Sequence, residues 1–130
     1  MSGKAKSTVS GYSQFITIRN VDRGNLFYEE PDYHHCLCRL KSVTDYYGCF
    51  IHGYALMPDH FYLLLSAGQE TGMMRAMKLL EYDYGRYFDF THRRIHRKLE
   101  LDYSMLPVTG HQLLIFCRYI ELAPVRAALV

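Results

Sequence analysis

At 130 residues, 49% of them apolar and none in a low-complexity tract, the chain has the size of one domain, over 1–130, with its own core. A net charge of +2 does not by itself imply a polyanionic partner, and no apolar run approaches the roughly 20 residues needed to span a bilayer. Met1–Ser10 is short, polar and rich in small residues; it reads as a flexible tail without a secretory signal, ahead of a cytoplasmic domain with reduced cysteines.

Tyr12–Arg19 alternates partly and is rich in Phe, Ile and Thr, which predicts a first strand, and Asn20–Asn25 follows as a turn-rich loop. Glu29-Glu30-Pro31-Asp32 has the acids and the proline of a helix start. Tyr33, Leu37, Leu40, Thr44 and Tyr47 then recur at helical spacing as far as Gly48, a natural stop. The run His34-His35-Cys36-Leu37-Cys38 invites a zinc reading. Its spacing differs from finger patterns, and positions two apart on a helix do not share a face, so Cys36 and Cys38 are read as core residues.

Cys49–Met57 and His60–Ser66 predict two strands joined at a Pro58-Asp59 turn. Because side chains alternate along a strand, His60 and Tyr62 then point to one sheet face while Phe61 and Leu63 point to the other. After the connection Ala67–Gly72, the residues Met73, Met77, Leu80, Tyr84 and either Tyr87 or Phe88 form a second helical stripe, read as core. His92, Arg93, Arg94, His96, Arg97 and Lys98 follow at its end. Such a cluster is either a solvated helix terminus or the footprint of a phosphate-binding surface. Leu99–Pro107 contains a short strand in this reading. Thr109 or Gly110 precedes a last helix with the stripe Leu113, Leu114, Cys117 and Ile120, which Pro124 should kink or break. The order strand, helix, strand, strand, helix, strand, helix predicts an α+β fold. The simplest packing is a small antiparallel sheet in a split βαβ arrangement, with helices mainly on one face.

The runs YGCFIHGYALMPDHFYLLL, YGRYF and RYIELAPVRAALV carry a family resemblance. From about Phe15 to Val130 the chain resembles the single-tyrosine HUH transposases, most closely the REP-associated tyrosine transposases and their insertion-sequence relatives. The resemblance implies a ferredoxin-like sandwich that binds single-stranded or hairpin DNA, then cuts and rejoins it in DNA transposition. It also implies a divalent metal, Mg²⁺ or Mn²⁺, held by a His-hydrophobic-His motif. Carried over residue by residue, His60 and Tyr62 stand at the two histidine positions and Tyr119 at the nucleophile, which forms a 5′-phosphotyrosine and leaves a free 3′-hydroxyl. Beside the carried-over positions, the cations Arg93, Arg94, Arg97 and Lys98 of the basic cluster are the candidate DNA-binding residues. The resemblance is compatible with a homodimer as well as a monomer.

The metal has a chemical reason in this scheme: a phenol with a pKa of about 10 is a weak nucleophile, and a Lewis acid polarises and positions the phosphodiester it attacks. The chain departs from the family pattern at those same positions. Tyr62 replaces an imidazole with a phenol. Ala123 stands one helical turn beyond Tyr119, where the family places its third, polar ligand. Pro58-Asp59 replaces proline-asparagine, and Leu99-Glu100-Leu101-Asp102 replaces a basic segment. Three readings follow: a working transposase with Tyr62 or Asp59 as substitute ligand, a hairpin-binding protein that has lost cleavage, and a scaffold with no nucleic-acid role.

Overall fold

The computed structural model describes residues 12–93 and 99–126. Its elements are β1 (Tyr12–Asn20), α1 (Glu30–Tyr46), β2 (Cys49–Met57), β3 (His60–Ala67), α2 (Glu70–Thr91), β4 (Leu101–Pro107) and α3 (Leu113–Arg126), the last entered through a single 3-10 turn, Gly110–Gln112. The strands form one sheet in the order β2-β3-β1-β4, with every neighbouring pair antiparallel. This is the expected split arrangement, and the terminal tail and the residues 94–98 of the basic cluster lie outside the described residues.

Alternation divides the core in two. Ile16, Ile18, Phe61, Leu63 and Leu65 face α1 and α2, where Met73, Met77, Leu80, Tyr84 and Phe88 meet them. Phe88, rather than Tyr87, completes the α2 stripe. Phe15, Ala55, Met57 and Leu64 face the other way and are covered by Ile120 and Ala123 of α3. Two helices therefore pack on one face and the third on the other.

Local signals explain the helix ends. Glu29 has extended backbone before α1, and Pro31 lies in the first turn, where a missing N–H leaves no hydrogen bond unmade. Gly48 closes the helix at φ 69°, in the left-handed region that glycine enters without strain. The buried face of α1 differs from the expected stripe: it comprises Asp32, Cys36, Leu40, Val43 and Thr44. Tyr33, Leu37 and Tyr47 stand at its rim, partly buried against the core. Cys36 is core as expected, whereas Cys38, two positions on, is exposed. In α3, Phe116 takes the place expected for Leu114, which is 66% exposed. Apolar residues surround this helix, so period alone could not choose its face, and the contact of Phe116 with Phe15 at 5.0 Å between ring centres decides it. Pro124 does not end α3, which continues to Arg126; so near the terminus the ring removes a hydrogen bond only from the last turn. No helix among the described residues is long and apolar enough to cross a membrane.

Candidate nucleic-acid site

The strand register lays out rows of side chains across the α3 face. Asp102, Arg19, His60 and Met57 make the row at the Pro58-Asp59 end, and Ser104, Thr17, Tyr62 and Ala55 make the next. Leu106, Phe15, Leu64 and Gly53 form the third. At Gly53 the register slips past the extra residue His52, and an added Cβ would lie 3.6 Å from Cδ1 of Ile120, so α3 seats directly on this bare backbone. Beyond it, His52 Nε2 is bonded to Ser66 Oγ at 2.6 Å and Ser66 Oγ to Ser13 Oγ at 2.8 Å, a buried polar chain that pins the far end of the face.

Three of the expected site residues come together. The rings of His60 and Tyr62 meet edge to face at 5.1 Å between centres, and Tyr62 and Tyr119 lie 5.7 Å apart. Phe15 supports both tyrosines, at 5.4 Å from Tyr62 and 5.9 Å from Tyr119. Tyr119 remains 43% exposed, a high value for an aromatic ring on the inner half of a packed helix. The turn that delivers His60 is locked from outside, because the Pro58 carbonyl accepts hydrogen bonds from the Leu26 and Phe27 amides at 2.7 and 3.1 Å.

His60 Nδ1 is engaged by Asp59 Oδ1 at 2.7 Å. That bond is the largest influence on the Asp59 carboxyl and holds it below its ordinary 3.8; partial burial opposes the shift, and the charges of His60 and Arg19 reinforce it. Ala123, at the position the resemblance assigns to a third ligand, is buried in the apolar cluster with Met57 and Ile120 and presents only a methyl group. Among the described residues no group of three or more His, Cys, Asp or Glu side chains converges to hold a metal. A phenol, a methyl and one imidazole already bonded to a carboxylate do not fit the divalent ion that the resemblance implies.

The cations divide differently. Arg93 follows α2 on the α1–α2 side of the sheet, its guanidinium carbon 5.8 Å from the centre of the Phe90 ring. Arg94, Arg97 and Lys98 lie outside the described residues. The end of α2 is fixed by a buried network absent from the sequence reading. Asp32, with no exposed surface, accepts hydrogen bonds from the Tyr28 amide at 2.8 Å, the Glu29 amide at 3.1 Å and the Tyr87 hydroxyl at 2.7 Å. It also bonds His92 Nε2 at 2.8 Å. Burial alone would raise the Asp32 carboxyl, but these bonds together hold it below its ordinary value. Arg19, Thr17 and Ser104 also lie on the face of His60 and Tyr62, which the sequence alone did not single out. The signal was present in β1, where Thr17 and Arg19 occupy alternate positions and so share a face.

The family model for Transposase IS200 like matches residues 8–122. Among solved structures, the chain is similar to a REP-associated tyrosine transposase bound to a REP hairpin, with a TM-score of 0.67 and 14% identity over 100% of this chain and 76% of that one. It is also similar to a candidate transposase from Deinococcus radiodurans R1, with a TM-score of 0.62 and 18% identity over 92% of this chain and 95% of that one. No curated protein matches the sequence.

Proposed function

We propose that this chain, which belongs to the IS200-like transposase family, binds single-stranded or hairpin DNA and holds Tyr119 against the strand, with metal-assisted cleavage impaired. The observation that carries the reading is the half-exposed Tyr119 beside Tyr62 and His60, on the face where the family resemblance puts the nucleophile. The solved relative bound to a REP hairpin supports the choice of DNA. Arg93, with Arg94, Arg97 and Lys98 after it in sequence, supplies cations for the hairpin backbone, so binding weakens steeply as salt rises. A DNA partner also accords with a cytoplasmic protein.

A second reading, retained cleavage, is favoured by the exposure of Tyr119. In it the phenol oxygen forms a bond to phosphorus, the bond from phosphorus to the 3′ oxygen breaks, and that oxygen leaves with a proton as a free 3′-hydroxyl. One experiment separates the readings. Labelled hairpins with single-stranded flanks are mixed with the protein and Mg²⁺ or Mn²⁺, then denatured. Binding without a denaturation-resistant adduct is the expected result. An adduct that disappears in Tyr119→Phe would establish cleavage, and absence of any binding would refute the DNA-binding reading. Leu114, Ile115 and Leu122 stand exposed on the outer side of α3. A homodimer through them is the assembly to test by sedimentation.

A further inference from the structure

We infer that Arg19, with the hydroxyls of Thr17 and Ser104 beside it, holds a backbone phosphate of bound DNA next to Tyr119 without a metal ion. This placement rests on the DNA-binding reading above and adds where the strand lies and what neutralises it.

Arg19 is the direct register partner of His60, on the same sheet face and in the row that ends at the Pro58-Asp59 turn. Side chains so paired have Cβ atoms roughly 5 Å apart. Thr17 pairs with Tyr62 and with Ser104, so two hydroxyls stand one row behind the guanidinium. The ring of Tyr119 approaches this row from α3, 5.7 Å from that of Tyr62 between centres. α3 packs over β2 and β3 and leaves Arg19 and Thr17 half-buried and Ser104 exposed, so the shelf is open to a ligand from the β4 side.

Among the described residues the guanidinium has no close ion-pair partner: Asp102 is its register partner on β4, yet Arg19 forms no ion pair within 4.0 Å. Register sets it at the same end of the site as His60 and the Pro58-Asp59 turn. A planar fork of donors suits a phosphodiester, and two hydroxyls can complete the contact. The need for such a group follows from what the site lacks. With Ala123 and Tyr62 at ligand positions, no cation other than Arg19 is placed by the described strands on this face beside Tyr119. A strand carrying one negative charge per phosphate would otherwise meet a half-apolar surface edged by Asp59 and Asp102.

The test measures binding of a labelled hairpin with a single-stranded flank, by anisotropy, in EDTA, for wild type, Arg19→Gln and Arg19→Lys. Losing a charged hydrogen-bonding group should weaken Arg19→Gln about tenfold, and its salt slope should fall by roughly one contact's worth. Arg19→Lys, which keeps the charge without the fork, should fall between. Neutral methylphosphonates are then scanned along the flank. One position should weaken wild type and leave Arg19→Gln unaffected, a response that mere misfolding cannot produce. If Arg19→Gln proves unstable, the same scan with Arg19→Lys, whose loss at that position should be smaller than wild type's, carries the test. Wild-type salt slope and affinity in Arg19→Gln, or wild-type binding that collapses in EDTA, would overturn the inference while leaving DNA binding intact. No hairpin binding by wild type would remove the functional reading itself.

Discussion

Asp32 is the position on the α1–α2 side of the sheet at which truncating one side chain should do most damage. Its carboxylate is fully enclosed and meets two backbone amides, the Tyr87 hydroxyl and His92. Asp32→Ala leaves all four groups facing a cavity. Leaving several buried hydrogen-bonding groups without their partner costs roughly 1–3 kcal/mol each, about 3–5 kcal/mol together after relaxation, a large share of the roughly 5–15 kcal/mol that holds a domain together. For a chain of this size that is a fall in Tm of about 10–20 °C. Asp32→Asn keeps an acceptor for the amides, and the hydroxyl and imidazole can reorient toward its NH₂, so its cost should be nearer 1–2 kcal/mol. Urea titration by circular dichroism measures both. The sign of the pH effect follows from the lowered carboxyl: the folded state binds this proton less readily than the unfolded chain does. Stability from Asp32 is therefore complete above its ordinary value of 3.8 and is lost as pH falls through the lower folded value. In Asp32→Asn that part of the acid sensitivity should disappear. A loss below about 1 kcal/mol for Asp32→Ala would show that the network is not the clamp described. Because His92 immediately precedes Arg93, hairpin binding should weaken along with stability.

Three further outcomes are expected. Tyr62→His combined with Ala123→Asn should raise Mn²⁺ affinity measured by calorimetry, at about 1–3 kcal/mol of stability for placing an amide in the apolar cluster; unchanged affinity would mean the pocket has been reshaped beyond its ligands. Gly53→Ala should be tolerated, since the new methyl meets Ile120 at an ordinary 3.6 Å, whereas Gly53→Leu must lift α3 and should cost about 1–3 kcal/mol. A native-state thiol reagent at pH 8 should label exposed Cys38 and spare Cys36, whose thiol is pushed up to about 12 by burial; labelling of Cys36 without unfolding would contradict its enclosure.

Elements whose cues are local were readable from sequence. The Pro58-Asp59 turn and the alternation after it placed His60 and Tyr62 on one face, and the Met73–Phe88 stripe picked out the inner side of α2. What failed to show depended on partners distant in the chain. Asp32 looked like an ordinary acid at a helix start, and nothing near it announced Tyr87 or His92, which meet it across the α1–α2 interface. Arg19 read as the last residue of a strand until register set it opposite His60. Leu114 and Phe116 could not be ranked because α3 is apolar on nearly every side.

The sheet order has a consequence for how the protein is made. Arg19 comes from the first strand, His60 from the third, Ser104 from the fourth and Tyr119 from the helix after it, and β1 pairs with β4 only after everything between has been synthesised. Such long-range closure is slow and comes late in folding. During translation the growing chain can assemble α1, β2 and β3 without possessing a DNA-facing shelf. The face shared by Arg19, His60, Ser104 and Tyr119 is therefore complete only once β4 and α3 have joined the sheet.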